Sequence, residues 1–351
     1  MDRKILIVGP CAAESAAQVQ AVACAISSAL HETEAQRFEV VFRAGLWKPR
    51  SSPSSFQGVG AEGLPWLVES ARHIACPGAT EVAQREHLVA AYDSGIRHFW
   101  IGARTTSNPF MVDMLANAPI ANKQDVTWYI KNPTSPDIAL WCGAVERLKD
   151  AGYSRICAIH RGFALGEHTT SIYRNAPLWS VAIEFKRRHP DVPLLTDASH
   201  IAGKAECVPE VAEQSIRMGM DGLMIEVHNH PAEALSDAAQ QLTPDALMAL
   251  LRRLAHVDAS GICDESSELA ALRQQIDETD DELWALINKR MDISRQIGEY
   301  KRRHGIPVLQ QTRYSDLLGR RMLWAAEHGI PPEAAKQIMD IIHEQSVLVQ
   351  V

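Results

Sequence analysis

Apolar, strand-like runs alternate with helix-like stretches from residue 3 to about residue 255. Most of the runs are rich in Val, Ile, Leu and aromatic side chains, as expected for strands of a parallel sheet that is covered on both faces. In order they are KILIVGP, FEVVFRAG, GATEV, HFWIGAR, VTWYIKNP, SRICAIHRG, VPLLTDASH and GLMIEVHNH. Eight β/α units over about 250 residues is the number that closes a (β/α)8 barrel. The sequence therefore predicts an α/β TIM barrel.

The chain changes character after the eighth run. The segment HVDASGICDESS, residues 256–267, is small, polar and acidic, which is typical of a linker. Beyond it, apolar residues recur with helical spacing and strand-like alternation is absent. We expect helices over residues 267–303, 311–328 and 332–350. The predicted domains are the barrel over 1–256, a linker over 257–265 and a smaller all-α three-helix domain over 266–351.

The first of these helices is unusually long. It continues until Gly305 and Pro307 interrupt the pattern. At 1.5 Å per residue it would span about 55 Å, which is more than one small domain can cover. We therefore expect it to pack against the same helix of a second subunit, so that the protein is a homodimer or a higher homo-oligomer.

Composition argues against several classes of protein. Of the 351 residues 46% are hydrophobic, enough for a large core, but no run approaches the roughly 20 apolar residues of a membrane span. The strand after Met1 is too short for a signal-peptide core, so we expect a cytoplasmic protein. Because the barrel pattern begins almost at Met1, we also expect no N-terminal regulatory domain. The net charge of −8 argues against binding to nucleic acid. Seven scattered cysteines without a C-x-x-C pair argue against a disulfide framework, and we expect most, such as Cys24 and Cys157, to be packing residues.

The active site of a TIM barrel lies where its strands end. Residues at these ends are here mostly metal-ligand types and cations. They are Cys11, Arg43, Lys48, Arg50, Glu81, Arg104, Lys131, His160, Arg161, Asp197, His200, Glu226 and His228. Taken singly, each of them is explained equally well as an ordinary loop residue. So many of them at one predicted rim, however, indicate a functional site.

Three of these residues suggest a metal site. Cys11, His200 and Glu226 follow the first, seventh and eighth runs, which are neighbours in a closed barrel. Thiolate, imidazole and carboxylate together suit a divalent transition metal such as Mn, Fe, Co or Zn. Asp237, just beyond the eighth run, is a further candidate oxygen ligand. The alternative for Cys11 is a buried small hydrophobe, which is the commoner state of cysteine.

The cations suggest the substrates. They are Arg43, Lys48, Arg50, Arg104, Lys131 and Arg161. Around one barrel mouth they would repel each other unless several negative charges lay among them, and guanidinium groups are suited to binding phosphate and carboxylate. We infer two phosphorylated or carboxylated substrates.

The segments around these residues resemble a known family. In order they are GPCAAES, RAGLWKPRSSPSSFQGVG, TEV, IGARTTSNP, HRGF, YRNAPLW, DASH, IEVHNHP and ALSDAAQQL. Together they resemble the type Iβ branch of the 3-deoxy-D-arabino-heptulosonate 7-phosphate (DAHP) synthases over about residues 3–255. The resemblance implies condensation of phosphoenolpyruvate with erythrose 4-phosphate on a divalent metal, Mn, Fe or Co. That reaction opens the shikimate pathway and releases phosphate.

The same resemblance implies roles for individual residues. The implied metal ligands are Cys11, His200, Glu226 and Asp237. The residues implied to hold the phosphate and carboxylate of phosphoenolpyruvate are Arg43, Arg104, Lys131 and Arg161. Those implied to meet erythrose 4-phosphate are Lys48, Pro49, Arg50 and Ser51, within KPRSS. We expect Lys48 to protonate the new alkoxide.

The rival within the superfamily makes 3-deoxy-D-manno-octulosonate (KDO) 8-phosphate from arabinose 5-phosphate. That family typically has KANRSS where this chain has KPRSS. Proline shortens and stiffens the segment, which favours the four-carbon aldose.

Helix geometry groups the polar residues of the C-terminal domain. Arg290 and Lys301 are eleven positions apart, about 20° around a helix, so they share a face. Ser346 and Gln350, four positions apart, also share one. Arg273 lies about 260° around the helix from Arg290, so it cannot point into the same pocket of its own subunit. It could enter the pocket of a partner subunit if the two helices run antiparallel. A charged dimer surface without a pocket would explain these positions equally well.

This domain also resembles a known family. The segments ALRQQIDETDDELWALINKRMDISRQIGEYK, IPVLQQTRY and IIHEQSVLVQ resemble the all-helical chorismate mutases, which rearrange chorismate to prephenate. In that family the long helix pairs across a dimer and each site borrows an arginine. The resemblance implies a borrowed Arg273 and a home pocket of Arg290, Lys301, Arg313, Ser346 and Gln350. Gln310 and Tyr314 depart from the usual pattern, where aspartate and glutamate are frequent.

The second domain therefore has two candidate roles. It is an enzyme, or it is a ligand-binding regulatory module in mutase form. In both cases we expect prephenate or chorismate in this pocket to lower synthase activity, because the mutase consumes what the pathway begun by the synthase produces.

Overall fold

The computed structural model describes residues 3–32, 38–49, 54–164, 172–259, 267–309 and 311–351. The chain divides into two compact units, Met1–Ile262 and Cys263–Val351. Each unit has one of the two architectures that the sequence predicts.

The first unit contains a closed barrel of eight parallel strands in sequential order. The strands are β1 Lys4–Gly9, β2 Phe38–Arg43, β3 Gly78–Glu81, β4 His98–Ile101, β5 Thr127–Lys131, β6 Arg155–His160, β7 Leu194–Asp197 and β8 Gly222–Glu226. Ile7 of β1 lies beside Val41 of β2 on one side and Met224 of β8 on the other, so the last strand closes onto the first. The predicted TIM barrel is confirmed.

Helices surround the barrel. They are α1 Ala16–Glu32, α2 Leu64–His73, α3 Arg85–Asp93, α4 Ala103–Thr106, α5 Pro109–Ala116, α6 Ile138–Asp150, α7 Trp179–Arg188, α8 Ala198–Ala202, α9 Val208–Arg217 and α10 Pro244–Ala259. Sequence signals set their starts: α5 begins at a proline after the Asn108 cap, and Asp137 accepts a hydrogen bond from the Leu140 amide at the start of α6.

The alternation of side chains along each strand produces two apolar layers. Leu6 and Val8 of β1 belong to the large layer between sheet and helices. Ile7, between them, faces the barrel interior with Trp100, Tyr129 and other side chains. Because apolar side chains fill the interior, polar chemistry is confined to the strand ends.

The second unit consists of helices in its described part. They are α11 Ser267–His304, α12 Gln311–Glu327 and α13 Pro332–Leu348, which confirms the three predicted helices. With 38 residues, α11 is about 57 Å long. Large apolar side chains along it are exposed, among them Leu283, Trp284 and Ile293. Such a surface is expected of a helix that packs against another chain.

Two further sequence expectations concern the linker and the membrane. Helix α10 runs to Ala259 and α11 begins at Ser267, and residues 260–266 lie outside the described part of the chain. Among the described helices, none combines the length and hydrophobicity needed to cross a bilayer.

Candidate functional site

The strand ends of the barrel carry the polar residues of the site. Arg43, Glu81, Lys131, Asp197 and Glu226 are each the last residue of their strand. Since the carboxyl ends of parallel barrel strands meet at one face, these side chains converge although they are far apart in sequence. They lie in or directly behind a cavity of about 210 Å³ at that face.

The cavity has a strong excess of positive charge. Its described lining includes six cationic side chains, Arg43, Lys48, Arg104, Lys131, Arg161 and Arg174. Two carboxylates, those of Glu81 and Asp237, line it as well. Six cations so close together repel one another, and anionic ligands would relieve this repulsion. The cavity therefore suits phosphate and carboxylate groups.

Three groups of metal-ligand type meet beside this cavity. Single ligand atoms of Cys11, Glu226 and Asp237 all lie within 4.8 Å of one another. The Cys11 thiol donates a hydrogen bond to Asp237 Oδ2 at 3.3 Å, and Lys48 Nζ approaches Cys11 Sγ at 3.4 Å. A thiolate and two carboxylates suit a divalent transition metal, so the residues present fit such an ion.

His200 lies at the edge of this cluster. Its Nδ1 is 3.8 Å from Glu226 Oε1 and 3.0 Å from Asp197 Oδ2. Asp197 also caps α8 by accepting a hydrogen bond from the His200 amide at 3.1 Å. Burial lowers the pKa of His200, which favours the neutral imidazole that metals bind. The structure thus brings His200 next to the three clustered ligand groups without placing it inside that cluster.

Burial and charge set the protonation of the candidate ligands. Burial, and then the Glu226 carboxylate, raises the pKa of the Cys11 thiol to about 12. Without a metal the group is therefore a neutral thiol, whereas coordination deprotonates it. Burial alone would raise the pKa of Glu226 too, but nearby positive charge, that of Arg43 included, holds this pKa below its ordinary value. Arg43 Nη2 lies 3.2 Å from Glu226 Oε1.

The remaining cations are held by partners around the rim. Lys131 Nζ donates to Asp197 Oδ2 at 2.6 Å in a buried pair. Arg161 donates to Asn175 Oδ1 at 2.9 Å, and burial lowers its pKa to about 10, which still leaves it charged at neutral pH. Arg104 donates to the carbonyl of Pro49 at 3.1 Å. The charges are therefore oriented before any ligand arrives.

Three of the residues predicted at the barrel rim are not seen there in the structure. Arg50 and Ser51 lie outside the described residues. His160 was expected at the rim but is fully buried against the rings of Trp141, Phe163 and Trp179. His160 is therefore a core residue.

Of the two cysteines expected to pack inside the protein, Cys157 is buried in the barrel interior but Cys24 is exposed on α1. The expectation for Cys24 was wrong because it falls on the outward face of its helix.

Sequence reasoning missed some residues of the site. Arg174 lines the cavity, and its guanidinium lies 3.1 Å from Asp237. Gln240 donates to Glu226 Oε2 at 2.7 Å. Arg174 falls in YRNAPLW and Gln240 in ALSDAAQQL, so position within these motifs was the available signal.

The helical unit brings two predicted pairs together. Arg290 donates hydrogen bonds to Ser346 Oγ and, at 3.3 Å, to the carbonyl of Ile342. Lys301 Nζ donates to Gln350 Oε1 at 3.1 Å. The two cations of α11 thus contact Ser346 of α13 and Gln350 just after it, which agrees with the set that the family resemblance implies.

Arg273 is exposed on α11, and Arg313 is exposed on α12. Gln310 is outside the described residues.

Sequence reasoning missed a polar group beside this pair of cations. His343 lies on the same face of α13 as Ser346 and stacks on Tyr314 at 3.8 Å between ring centroids. Burial and the charge of Arg290 lower the pKa of His343. Tyr314 in turn donates a hydrogen bond to Asp340.

Family models match almost the whole chain. The model described as DAHP synthetase I family matches residues 1–260, and that described as chorismate mutase type II matches residues 272–351. Both resemblances found in the sequence are confirmed.

Curated relatives agree with these matches. A phospho-2-dehydro-3-deoxyheptonate aldolase of Thermotoga maritima is 30% identical over 260 residues, which cover 73% of this chain and 71% of the relative. A 2-dehydro-3-deoxyphosphooctonate aldolase of Koribacter versatilis is 28% identical and covers 72% of this chain and 90% of its own. A 4-amino-4-deoxychorismate mutase of Streptomyces pristinaespiralis is 36% identical over 84 residues, 24% of this chain and 65% of the relative.

A solved structure is similar in fold. The crystal structure of the DAHP synthase of Thermotoga maritima superposes with a TM-score of 0.63 at 25% identity and covers 74% of this chain and 70% of its own. The chain therefore belongs to the DAHP synthetase I family and joins an enzyme barrel of that family to a C-terminal chorismate mutase domain.

Proposed function

We propose that the barrel condenses phosphoenolpyruvate with erythrose 4-phosphate to give DAHP and phosphate. The observation that carries this proposal is the cavity with six cations beside the cluster of Cys11, Glu226 and Asp237. Phosphoenolpyruvate brings a phosphate and a carboxylate, and erythrose 4-phosphate brings a second phosphate. A strongly cationic cavity matches this charge.

The cations divide between the two substrates. Lys131, Arg161, Arg104 and Arg43 hold the phosphate and carboxylate of phosphoenolpyruvate. Lys48 and Pro49, with Arg50 and Ser51, bind erythrose 4-phosphate. Arg104 of the first set donates a hydrogen bond to the Pro49 carbonyl of the second. This contact supports two adjacent substrate positions, because the two sets of residues meet at one edge of the cavity.

Cys11, His200, Glu226 and Asp237 hold a divalent metal, Mn, Fe or Co. When bound, such an ion supplies Lewis-acid polarisation of the aldehyde. The protein orients phosphoenolpyruvate so that C3 attacks the aldehyde carbon, water adds at C2, and the resulting hemiketal phosphate expels phosphate. Lys48 protonates the new alkoxide, since its ammonium group lies 3.4 Å from Cys11 Sγ and thus beside the ligand cluster.

The helical domain rearranges chorismate to prephenate. Arg290 and Lys301, with Ser346 and Gln350, hold the two carboxylates and the ether oxygen, Arg313 contributes to the same pocket, and Arg273 enters the pocket of a partner subunit. Fixed cations stabilise the charge that develops on the breaking C–O bond, and no nucleophile is needed. The exposed apolar face of α11 supports a homodimer, because Trp284 and its neighbours would be covered by the second long helix.

We place the enzyme in the cytoplasm, with its domain boundary between residues 256 and 266. The scattered cysteines, without a C-x-x-C pair, support a reducing compartment.

The first prediction concerns the metal. Chelation abolishes condensation and Mn, Fe or Co restores it, while Cys11→Ala lowers kcat/KM at least about a hundredfold because a ligand is lost. The measurement is phosphate release in metal-free buffer with and without added ion. Cys24→Ala, at an exposed cysteine of α1, is the matched control and keeps full activity. Full activity of Cys11→Ala in metal-free buffer contradicts the metal proposal.

The second prediction concerns the aldose. Relatives named as 2-dehydro-3-deoxyphosphooctonate aldolases make the KDO 8-phosphate reaction the second candidate for the barrel. Because KPRSS is one residue shorter than KANRSS and Pro49 stiffens it, we expect kcat/KM for erythrose 4-phosphate to exceed that for arabinose 5-phosphate at least about a hundredfold, or about 2.7 kcal/mol. Replacing KPRSS by KANRSS brings the kcat/KM values for the two sugars closer together. Equal values for the two sugars in the unmodified enzyme favour the rival reaction.

The third prediction concerns the mutase pocket. Arg290→Ala lowers chorismate turnover about a hundredfold or more, because a charge-stabilising donor is removed. Arg295→Ala on the same helix, where Arg295 pairs with Asp292, is the control and has little effect. A pocket that binds chorismate without converting it would show the domain to be a regulatory module instead.

A second substrate candidate for this domain follows from its relative, which is named a 4-amino-4-deoxychorismate mutase. Tyr314 stands at a position where the chorismate mutases frequently have glutamate, and this departure is a reason to test both substrates. Turnover of chorismate and of 4-amino-4-deoxychorismate by the same preparation decides between them.

The fourth prediction is that prephenate inhibits the synthase. A ligand that contacts Arg290 of one subunit and Arg273 of its partner favours one placement of the two long helices, and the resulting coupling is about 1–3 kcal/mol at most. Synthase activity is measured with added prephenate in the full chain, in Arg290→Ala, and in a chain ending after Ala259. Inhibition is expected in the full chain alone. Inhibition that persists after truncation assigns regulation to another part of the enzyme.

A further inference from the structure

Two consecutive glutamines, Gln240 and Gln241, lie directly behind the candidate metal ligands. Both are buried, with 1% of their surface exposed. Buried amides need hydrogen-bond partners, so their contacts show what they are placed to do. We propose that Gln240, Gln241 and Arg174 are positioning residues that hold Cys11, Glu226 and Asp237 in the orientation that binds the metal.

Gln240 connects Glu226 to Arg174. Its Nε2 donates to Glu226 Oε2 at 2.7 Å, and its Oε1 accepts from Arg174 Nη1 at 2.8 Å. The guanidinium has donors only, so it fixes which end of the amide faces it and leaves the NH2 group for the carboxylate. With Arg43 3.2 Å from the other oxygen, the Glu226 carboxylate is held at both ends.

Arg174 also orients Asp237. The same Nη1 lies 3.1 Å from Asp237 Oδ1, which leaves Oδ2 facing Cys11 Sγ at 3.3 Å. Asp237 has φ 47°, in the left-handed region, which aspartate adopts more readily than most residues other than glycine. Gly203 makes room for the arginine, because a Cβ there would lie 2.2 Å from Arg174 Cβ.

Gln241 holds the segment that carries the thiol. Its Oε1 accepts a hydrogen bond from the Cys11 amide at 3.0 Å, and its Nε2 donates to the carbonyl of Ser236 at 2.9 Å. Cys11 follows β1, and Ser236 precedes Asp237 in the loop after β8. One amide therefore ties together the two segments that supply two of the three clustered ligand groups.

These contacts have a measurable consequence for metal affinity. Residues that orient metal ligands typically contribute about 10- to 100-fold to affinity, although they do not touch the ion. The inference rests on the proposed metal site, but it concerns residues to which that proposal gives no role. It predicts that removing the hydrogen bonds of the glutamines lowers the affinity for the metal, although the ligand residues themselves are unchanged.

The test uses the full-length protein, freed of metal and titrated with Mn²⁺ by equilibrium dialysis. Gln240→Met keeps the side-chain length and loses both hydrogen bonds, so we expect the Mn²⁺ dissociation constant to rise about 10- to 100-fold. Gln124→Met, at an exposed glutamine that donates to the Gly152 carbonyl, is the matched control and leaves the constant unchanged. Titration with Co²⁺ adds a spectroscopic readout, because the thiolate-to-cobalt absorption band reports the Cys11 bond, and we expect it to shift or weaken in Gln240→Met.

Arg174→Met provides a second variant in case Gln240→Met does not fold, since half of the Arg174 side chain is exposed. We expect weaker Mn²⁺ binding here too, with partial recovery in Arg174→Lys. Unchanged affinity and an unchanged cobalt spectrum in the folded variants overturn the inference, as does an equal loss in Gln124→Met. Failure of the unmodified protein to bind either ion overturns the metal site itself, and so distinguishes the two proposals.

Discussion

The burial of the Glu226 carboxylate at the end of β8 is the constraint on which the rest of the site depends. An ionised carboxylate removed from water is costly unless it is paired and hydrogen-bonded. Arg43, 3.2 Å away, supplies the charge, and Gln240 supplies a hydrogen bond at 2.7 Å. These two residues come from β2 and from the loop after β8, so satisfying one buried charge fixes distant segments of the chain against each other.

The same principle extends around the cavity. Lys131 of β5 is paired with Asp197 of β7, and that aspartate also caps α8 and approaches His200. Each buried carboxylate therefore places one cation that lines the cavity and one group beside the candidate metal ligands. Six cations against two carboxylates line the cavity itself, so its surface remains positively charged and suits anionic substrates.

In the helical unit, the spacing of residues along the helices, and not a buried carboxylate, brings the polar side chains together. Arg290 and Lys301 on α11 contact Ser346 of α13 and Gln350, which follows α13, through the spacing of their helices. The apolar surface of this unit is less well covered, since Trp284 is 68% exposed. A short domain with one long helix cannot bury its own apolar residues, which is the physical reason for expecting a second subunit.

The sequence alone determined the barrel, the three C-terminal helices and most of the strand-end residues, because hydrophobic periodicity and strand ends are local features. It also predicted Cys11, His200, Glu226 and Asp237 as one ligand set, because these residues follow strands that are neighbours in any closed barrel. The structure places ligand atoms of Cys11, Glu226 and Asp237 within 4.8 Å of one another, with His200 beside them. The sequence misplaced His160 and assigned no role to Arg174 or Gln240. Only the tertiary structure decided that His160 lies among aromatic rings and that Gln240 joins Glu226 to Arg174. Side-chain direction at a strand end, and partners 14 to 66 residues apart, depend on packing that no local pattern records.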